Sequence, residues 1–385
     1  MVVLRPKVLV DDEYVSQTAT TINLDLPTAG KLSTLWLGVK ADTVDSAGET
    51  SAFIKYLISS ISVNQAGQAF LNAAPPEVFQ ADYWEKTGKF PQVGKHLAED
   101  ASESVEEIVP ILFGDYVNDP EHYIDLSLLN DPKLSITYDL AATGPNSGTL
   151  WDTTFYPKFT VVADLMGPSG LPASKGYYSL RQQETYTPTD GQNKLFELKG
   201  ERPIRNIMFQ FDRKSLHYGL YSSIDNLKIY GDNESWVPFD LDDRELHLLH
   251  RRTHGLCTVT GKFDYVYDGA NMDGVVDYRE HMSVMDLSSA GGLYTIDGGS
   301  GRQMPVRSFA AEGVSLTEAA YTAFFKFMGY YPWSIYNISM KKMLGMDYLL
   351  PTEHKPLYFE VDHVSNAATI GGPVKIHVQD LVTRY

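Results

Sequence analysis

From residue 17 onward the chain alternates apolar and polar residues with a period of two. TINLDLP and LSTLWLGVK within residues 17–40, and then YLISSISVN, put every second side chain on one face, as a strand does when one side lies on a core. In YLISSISVN, Leu57 is out of step with Ile58, Ile61 and Val63, which predicts a bulge. The same pattern returns in HYIDLSLL, KLSITYDL, KFTVVADL, NIMFQF, IDNLKIYG, CTVTGKFDYVY, PLYFEVDHV and VKIHVQDL. Turn signals such as Asn130-Asp131-Pro132, Gly144-Pro145-Asn146 and Gly167-Pro168 divide the runs, so the chain reads as all-β, a β-sandwich or a pair of them.

Three helices interrupt the strands. The first runs from about Pro76 to Lys86 and stops before Gly88, a residue suited to the left-handed backbone past a helix end. A second is predicted over Leu241–Thr253, with Asp240 as N-cap, Asp242 and Asp243 in the first turn, Arg251 and Arg252 in the last, and Gly255 beyond. The third is predicted in SLTEAAYTAFFKFMG, where Ser315 and Glu318 form an S-x-x-E capping box and Gly329 ends the helix. Leu316, Ala319, Ala320, Ala323, Phe324 and Phe327 would be its apolar stripe.

An internal repeat organises these elements. A strand with Ile58, Ile61 and Val63 leads through a turn and a helix to Gly88; a strand with Ile224, Leu227 and Ile229 leads through Gly231-Asp232-Asn233 and a helix to Gly255. LSTLWLGV precedes the first unit and IRNIMFQF the second. The division that follows is an N-terminal arm (1–16), a first domain (17–167), a linker rich in Pro and Gly (168–189) and a second domain (190–385).

Composition narrows the function. An apolar content of 43% supports filled cores, and 24 Tyr and 17 Phe beside 30 Gly and 20 Pro suit short strands and turns rather than helical bundles. A net charge of −17 argues against a phosphate-binding surface and suits a concentrated protein kept soluble by self-repulsion. Cys257 alone can form neither an internal disulfide nor a thiolate metal centre. MVVLRPKVLVDDE does not read as a signal peptide, and no apolar run reaches the length of a membrane span.

The search for chemistry leaves little. GGSGR at 298–302 lacks the last glycine of a nucleophile elbow, and neither a phosphate loop nor a dinucleotide fingerprint is present. No catalytic, cofactor or metal site is expected. The one metal alternative is a calcium loop in DGANMDGVVDYRE, with Asn271, Asp273, Asp277 and Glu280 at ligand positions, although Gly269 stands where the first Asp should be. His247, His250 and His254 share a helical face, yet the repeat places VFQADYWEKT at the same point without a histidine, so the helix answers to architecture rather than to zinc. Asn233 and Asn337 begin glycosylation triplets, which we discount without a secretion signal.

At the repeated unit the chain resembles the double jelly-roll major capsid proteins of tailless icosahedral viruses, often with an internal membrane. The resemblance lies in ISSISVNQAGQ with the helix to YWEKTGKFP, in YIDLSLLNDPKLSITYDL, and in IDNLKIYGDNESWVPFDL with its helix. It spans residues 17 to 385, with the third helix as an embellishment. It implies two tandem jelly-roll β-sandwiches and a homotrimer that forms pseudo-hexameric capsomers tiling an icosahedral shell. The expected partners are neighbouring capsomers, penton and minor capsid proteins and an internal membrane, with no specific nucleic acid; the expected location is the virion, assembled in the host cytoplasm. Some members carry a basic amphipathic N-terminal helix for the membrane, whereas here only Arg5 and Lys7 precede Asp11, Asp12 and Glu13. Long segments at 92–121 and 141–156 are expected as loops ordered by partners. The alternatives are a carbohydrate-binding or carbohydrate-cleaving sandwich that uses Trp151, Tyr177, Tyr178, Tyr186, Trp236 and Trp333, and a tail, fibre or surface-layer protein.

Overall fold

In the computed structural model the described residues are 4–14, 17–44, 54–66, 68–69, 74–89, 91, 104–142, 150–167, 171–213, 224–255, 257–266, 273–276, 282–289, 292–296, 304–307, 320–329, 335–365, 367 and 371–383. The first half contains β1 (Leu4–Tyr14), β2 (Ala19–Asp25), β3 (Lys31–Asp42), β4 (Ile58–Gln65), β5 (Gln68–Ala69), α1 (Pro76–Thr87), β6 (Ser104–Leu112), β7 (Ile124–Asp125), β8 (Pro132–Asp139) and β9 (Lys158–Met166). The second begins with β10 (Tyr177–Tyr186), β11 (Asn193–Glu197), β12 (Ile204–Arg213), β13 (Ile224–Gly231), β14 (Trp236–Asp242) and α2 (Asp243–His254). An insertion then supplies β15 (Cys257–Val266), β16 (Asp273–Val276), β17 (Met282–Ser289), β18 (Gly292–Ile296), β19 (Met304–Arg307) and β20 (Ala320–Gly329). The half closes with β21 (Ile335–Ser339), α3 (Met340–Leu344), β22 (Leu357–His363) and β23 (Gly371–Val382).

Both halves have one topology. The first pairs its strands β1-β9-β3-β6 and β2-β8-β4-β5; the second pairs them β10-β23-β12-β21 and β11-β22-β13-β14. With the main strands of each half numbered one to eight, leaving aside β7 and the insertion, each half reads 1-8-3-6 and 2-7-4-5. Two of the irregularities coincide as well. The ladder of the third strand on the eighth slips near its start in both halves, between Leu32 and Thr34 in one and between Ile204 and Asn206 in the other; the second half slips again between Phe211 and Arg213. The fourth strand slips on the seventh between Ile58 and Ser60, and between Ile224 and Asn226. A bulge moves every later side chain to the opposite face, so shared bulges keep Ile61 and Val63, like Leu227 and Ile229, pointing into their cores.

Each sandwich encloses its own core. Leu35, Leu37, Ile61, Ile136, Phe159 and Val161 are among the residues filling the first; Ile207, Phe209, Leu227, Phe359, Ile376 and Val378 are among those filling the second. Burying each such side chain contributes about 1.5–3 kcal/mol. The first core also takes in Tyr177, Leu180, Met208, Ile335 and Val382, so apolar packing continues across the junction.

Several elements differ from the sequence reading. Residues 4–14, expected as an arm, form outer strand β1, and residues 177–186, expected in the linker, form β10. HYIDLSLL yields only the two-residue β7 and a 3-10 turn over Leu126–Leu128, because the Asp125 side chain accepts the Ser127 N–H and closes the turn. Within the expected loop 92–121 lies β6, whose Pro110 is tolerated on an outer strand. The third helix is a strand: β20 lies between β15 and β17, where pairing on both edges outweighs the helical spacing of its apolar residues. The Ser315–Glu318 box lies outside the described residues. In α2 the N-cap is Asp242, whose carboxylate accepts the Glu245 N–H while Glu245 reaches back to the Asp242 N–H. Among the described residues no helix is long and apolar enough to cross a membrane.

Candidate assembly site

The feature that joins the halves is α1. Pro75 in extended backbone and Pro76 at the first helical position start it, and Gly88 with φ 68° ends it. It is buried on nearly every side: Val78 and Phe79 enter the first core, while Glu77, Asp82 and Glu85 face the second sandwich. They meet the outer face of the β10-β23-β12-β21 sheet. Arg205 on β12 donates Nη1 to Glu85 Oε2 at 3.0 Å and to Gln379 Oε1 at 2.8 Å, and its Nε to Asp115 Oδ1 at 2.7 Å. Gln379 Nε2 donates to Asp82 Oδ1 at 2.9 Å and Gln210 Nε2 to Glu77 Oε1 at 3.3 Å. Lys342 in α3 sits 3.0 Å from Glu85 Oε1, and Lys86 pairs with Asp82 at 2.8 Å. The Arg205 guanidinium lies 5.2 Å from the centre of the Tyr178 ring.

Most charges inside this seam are paired. Burial alone would raise the Glu85 carboxyl, but Arg205 and Lys342 override it and hold it at about 2. Burial opposes the Arg205 charge, and Glu85, Asp82 and Asp115 together raise its pKa further. His254 is pushed down to about 4 and His377 to about 3, chiefly by burial, so both are neutral within the seam. Among the described residues the buried side-chain polar atoms of Asn206, Asn337 and His377 have no hydrogen-bond partner in the protein. A seam of this kind is costly to bury and favours one register over others rather than maximal stability.

Three carboxylate and imidazole groups come together beside the seam. Asp115, Asp119 and His122 place ligand-type atoms within 4.8 Å of one another. Their carboxylate oxygens are already engaged, although His122 Nε2 is buried without a partner among the described residues. Asp119 accepts the N–H groups of Asp115 and Glu121, each at 2.9 Å, and faces His122 Nδ1 at 2.9 Å; Asp115 takes Arg205 and, at 3.2 Å, the Tyr178 hydroxyl. A cation here would displace a guanidinium, so the trio reads as a brace for the turn that carries Asp115 to Arg205.

The residues singled out from sequence are scattered. Asp273 starts β16, while Asn271, Asp277 and Glu280 lie outside the described residues, as does Trp333. His250 and His254 do meet, but against α1: their rings lie 5.8 and 5.6 Å from Trp84, and His250 Nε2 accepts the Asn337 N–H at 3.4 Å. The His247 side chain is outside the description. Trp151, Tyr177 and Tyr178 are buried, which removes them as sugar platforms; Tyr186 and Trp236 are half-buried. Asn337 is buried in β21 and closed to glycosylation. Arg205 and the acidic face of α1 were not foreseen, because no local pattern links residues 120 positions apart.

Among the described residues one sheet face has no such cover beyond the Tyr83 ring of α1, which meets Trp36 edge-on at 5.8 Å. The outer side of β1-β9-β3-β6 forms a groove of about 420 Å³, with Trp36, Ile108 and Val162 among its lining and Asp12, Glu106 and Asp164 around it. The Trp36 indole N–H donates to Asp164 Oδ2 at 2.7 Å, and Ile108 is 41% exposed.

The chain path recurs in solved structures. It is similar to the STIV MCP with a TM-score of 0.61 and 9% identity, over 98% of this chain and 96% of that one. It is similar to a chain of Sulfolobus Turreted Icosahedral Virus with a TM-score of 0.59 and 8% identity, over 99% and 91%. The fold is a double jelly roll. PBCV-1 VP54, fitted into a reconstruction of the virophage Sputnik, shares this double jelly roll at a TM-score of 0.54 and 8% identity, over 99% and 94%. No protein-family model matches the sequence, and no curated protein matches it. The double jelly roll is thus kept at an identity where only the alternation of core positions and the order of strands carry over.

Proposed function

We propose that this chain is the major capsid protein of an icosahedral virus, a homotrimer whose six sandwiches outline a pseudo-hexameric capsomer. The observation that carries the reading is the duplication of strand order, with two shared bulges, within one chain, joined by a helix from one sandwich on the sheet of the next. Two like units joined head to tail extend naturally into a ring, and three chains place six similar domains around a threefold axis. Full-length likeness to the STIV MCP supports the same reading. The chain acts without catalysis or cofactor, in the virion after assembly in the host cytoplasm, with neighbouring capsomers and penton and minor proteins as partners. Arg5 and Lys7 lie within β1, which speaks for an internal membrane being reached through another protein.

Sedimentation velocity of the purified protein tests this. A species of about three times the 43.0 kDa chain mass, which tiles into hexagonal arrays by electron microscopy, is the expected result. A monomer at all concentrations overturns it.

A further inference from the structure

We infer that the open outer face of the β1-β9-β3-β6 sheet is the seat of helix α2 from a second copy of this chain. The inference rests on the ring reading above and adds which surfaces meet. Inside one chain, α1 of the first sandwich covers the outer 1-8-3-6 face of the second. The shared bulges place Trp36 at the position of Met208, Gly38 at that of Gln210, Asp164 at that of Gln379 and Val162 at that of His377. Met208, Gln210, Gln379 and His377 are all buried, while their four counterparts are only half-buried. Among the described residues the same sheet face thus appears twice, once covered and once largely open.

A helix with an exposed stripe that could cover it is also present. α2 follows the fifth strand of its half and ends at Gly255, as α1 follows the fifth strand of the first half and ends at Gly88. Aligned on these glycines, Phe79 matches Leu246, each in its own core, and Glu77 and Glu85 match Arg244 and Arg252. Glu77 and Glu85 are two of the three acids with which α1 grips the second sandwich, the third, Asp82, matching Leu249; Arg244 and Arg252 are exposed, with Leu248 between them 58% exposed. Arg244, Leu248 and Arg252 recur every four residues and so form one stripe.

Charge settles the pairing. α1 presents acids to Arg205, whereas α2 presents arginines and the open groove is edged by Asp12, Glu106 and Asp164. Lys158 in the groove already lies 3.4 Å from Asp12, and Lys40 lies at its edge. Trp36, Val162 and Ile108 offer apolar surface to Leu248. The chain's own α2 is held at the opposite side of the seam by Leu246 in the second core and by His250 against Trp84, so only another copy can supply the helix.

The test places Leu248→Cys and Ile108→Cys, singly, in a Cys257→Ser background. Under mild oxidation a mixture of the two single variants should yield a disulfide-linked pair of different copies, and neither variant alone should. Arg244→Glu with Arg252→Glu should raise the concentration for half-dissociation at least tenfold with an unchanged far-UV spectrum, and Glu106→Lys should restore part of the loss. A trimer that survives the double reversal and gives no cross-link overturns this interface while leaving the ring reading intact. A wild-type monomer overturns both. Cross-links that include Ile108→Cys but never Leu248→Cys would assign the groove to another occupant and also overturn the proposal.

Discussion

Replacing Arg205 by Met should loosen the seam by about 3 kcal/mol, at the lower end of the roughly 3–5 kcal/mol lost when one partner of a buried ion pair is removed. The low end follows from what remains. Glu85, with its side chain wholly buried, keeps Lys342 at 3.0 Å, and Asp115, 30% exposed, keeps the Tyr178 hydroxyl and has access to water. Gln379 Oε1 loses the guanidinium at 2.8 Å, which weakens its hold on Asp82 through the same amide. Replacing Glu85 by Met in addition removes the buried carboxylate that has lost its guanidinium partner, so the double variant should be more stable than the sum of the single losses predicts, by at least about 1.5 kcal/mol. Urea unfolding followed by far-UV dichroism and by tryptophan emission, with Trp84 buried in the seam, measures all four proteins. A single loss below about 1 kcal/mol, or additivity within about 0.5 kcal/mol, would refute the view that Arg205 holds the sandwiches together.

Acid should weaken the protein before carboxylates titrate. His254 and His377 have folded values depressed to about 4 and 3, below an unfolded value near 6.5, so stability is complete above pH 6.5 and falls with pH by about 1.4 kcal/mol per unit per histidine until those values are reached. Glu85, depressed to about 2, adds a loss only below about pH 4.5. A flat urea midpoint between pH 7 and pH 5 contradicts this, and His377→Gln should shrink the slope. Gly176→Ala should cost more than about 2 kcal/mol, because at φ 129° a Cβ would lie 2.3 Å from the Val382 carbonyl oxygen; thermal unfolding of the variant within one degree of wild type would sink the argument. Asp242→Ala should lose about 0.5–2 kcal/mol with the capping box, and Asp242→Asn should recover most of it.

The strands with one face on a core were legible because their alternation is a property of six to ten neighbouring residues. That is why the sequence alone matches Ile58, Ile61 and Val63 to Ile224, Leu227 and Ile229. Strands with mixed faces were not. β6 carries Glu107 on its inward side, where the carboxylate accepts the Ile54 N–H and the Gln80 amide, and it carries Pro110 as well. β20 has apolar residues at both periods, and only its neighbours β15 and β17 decide between them. The seam was invisible for another reason. Glu77, Asp82 and Glu85 read as a solvated helix face until Arg205, Gln210 and Gln379 are brought from more than a hundred residues away.

Two halves with one topology raise the question of what keeps them distinct, since a helix able to dock on either sheet would permit wrong closures. The charges answer it. An α1 placed on the open groove would bring Glu77 and Glu85 toward Asp12, Glu106 and Asp164, and an α2 placed on the covered face would bring Arg244 and Arg252 toward Arg205. Like charges so juxtaposed cost several kcal/mol, enough to suppress the wrong pairing even where backbone shapes match. The connection between the fifth and sixth strands reinforces the distinction. In the first half α1 returns to β6 without an intervening strand among the described residues, whereas in the second half α2 is followed by the sheet β15-β20-β17-β18 and the pair β16-β19 before β21 begins. Both differences sit next to the helices that join one sandwich to the next. Around a ring they would alternate, so the sequence permits threefold symmetry of whole chains and forbids sixfold equivalence of the sandwiches.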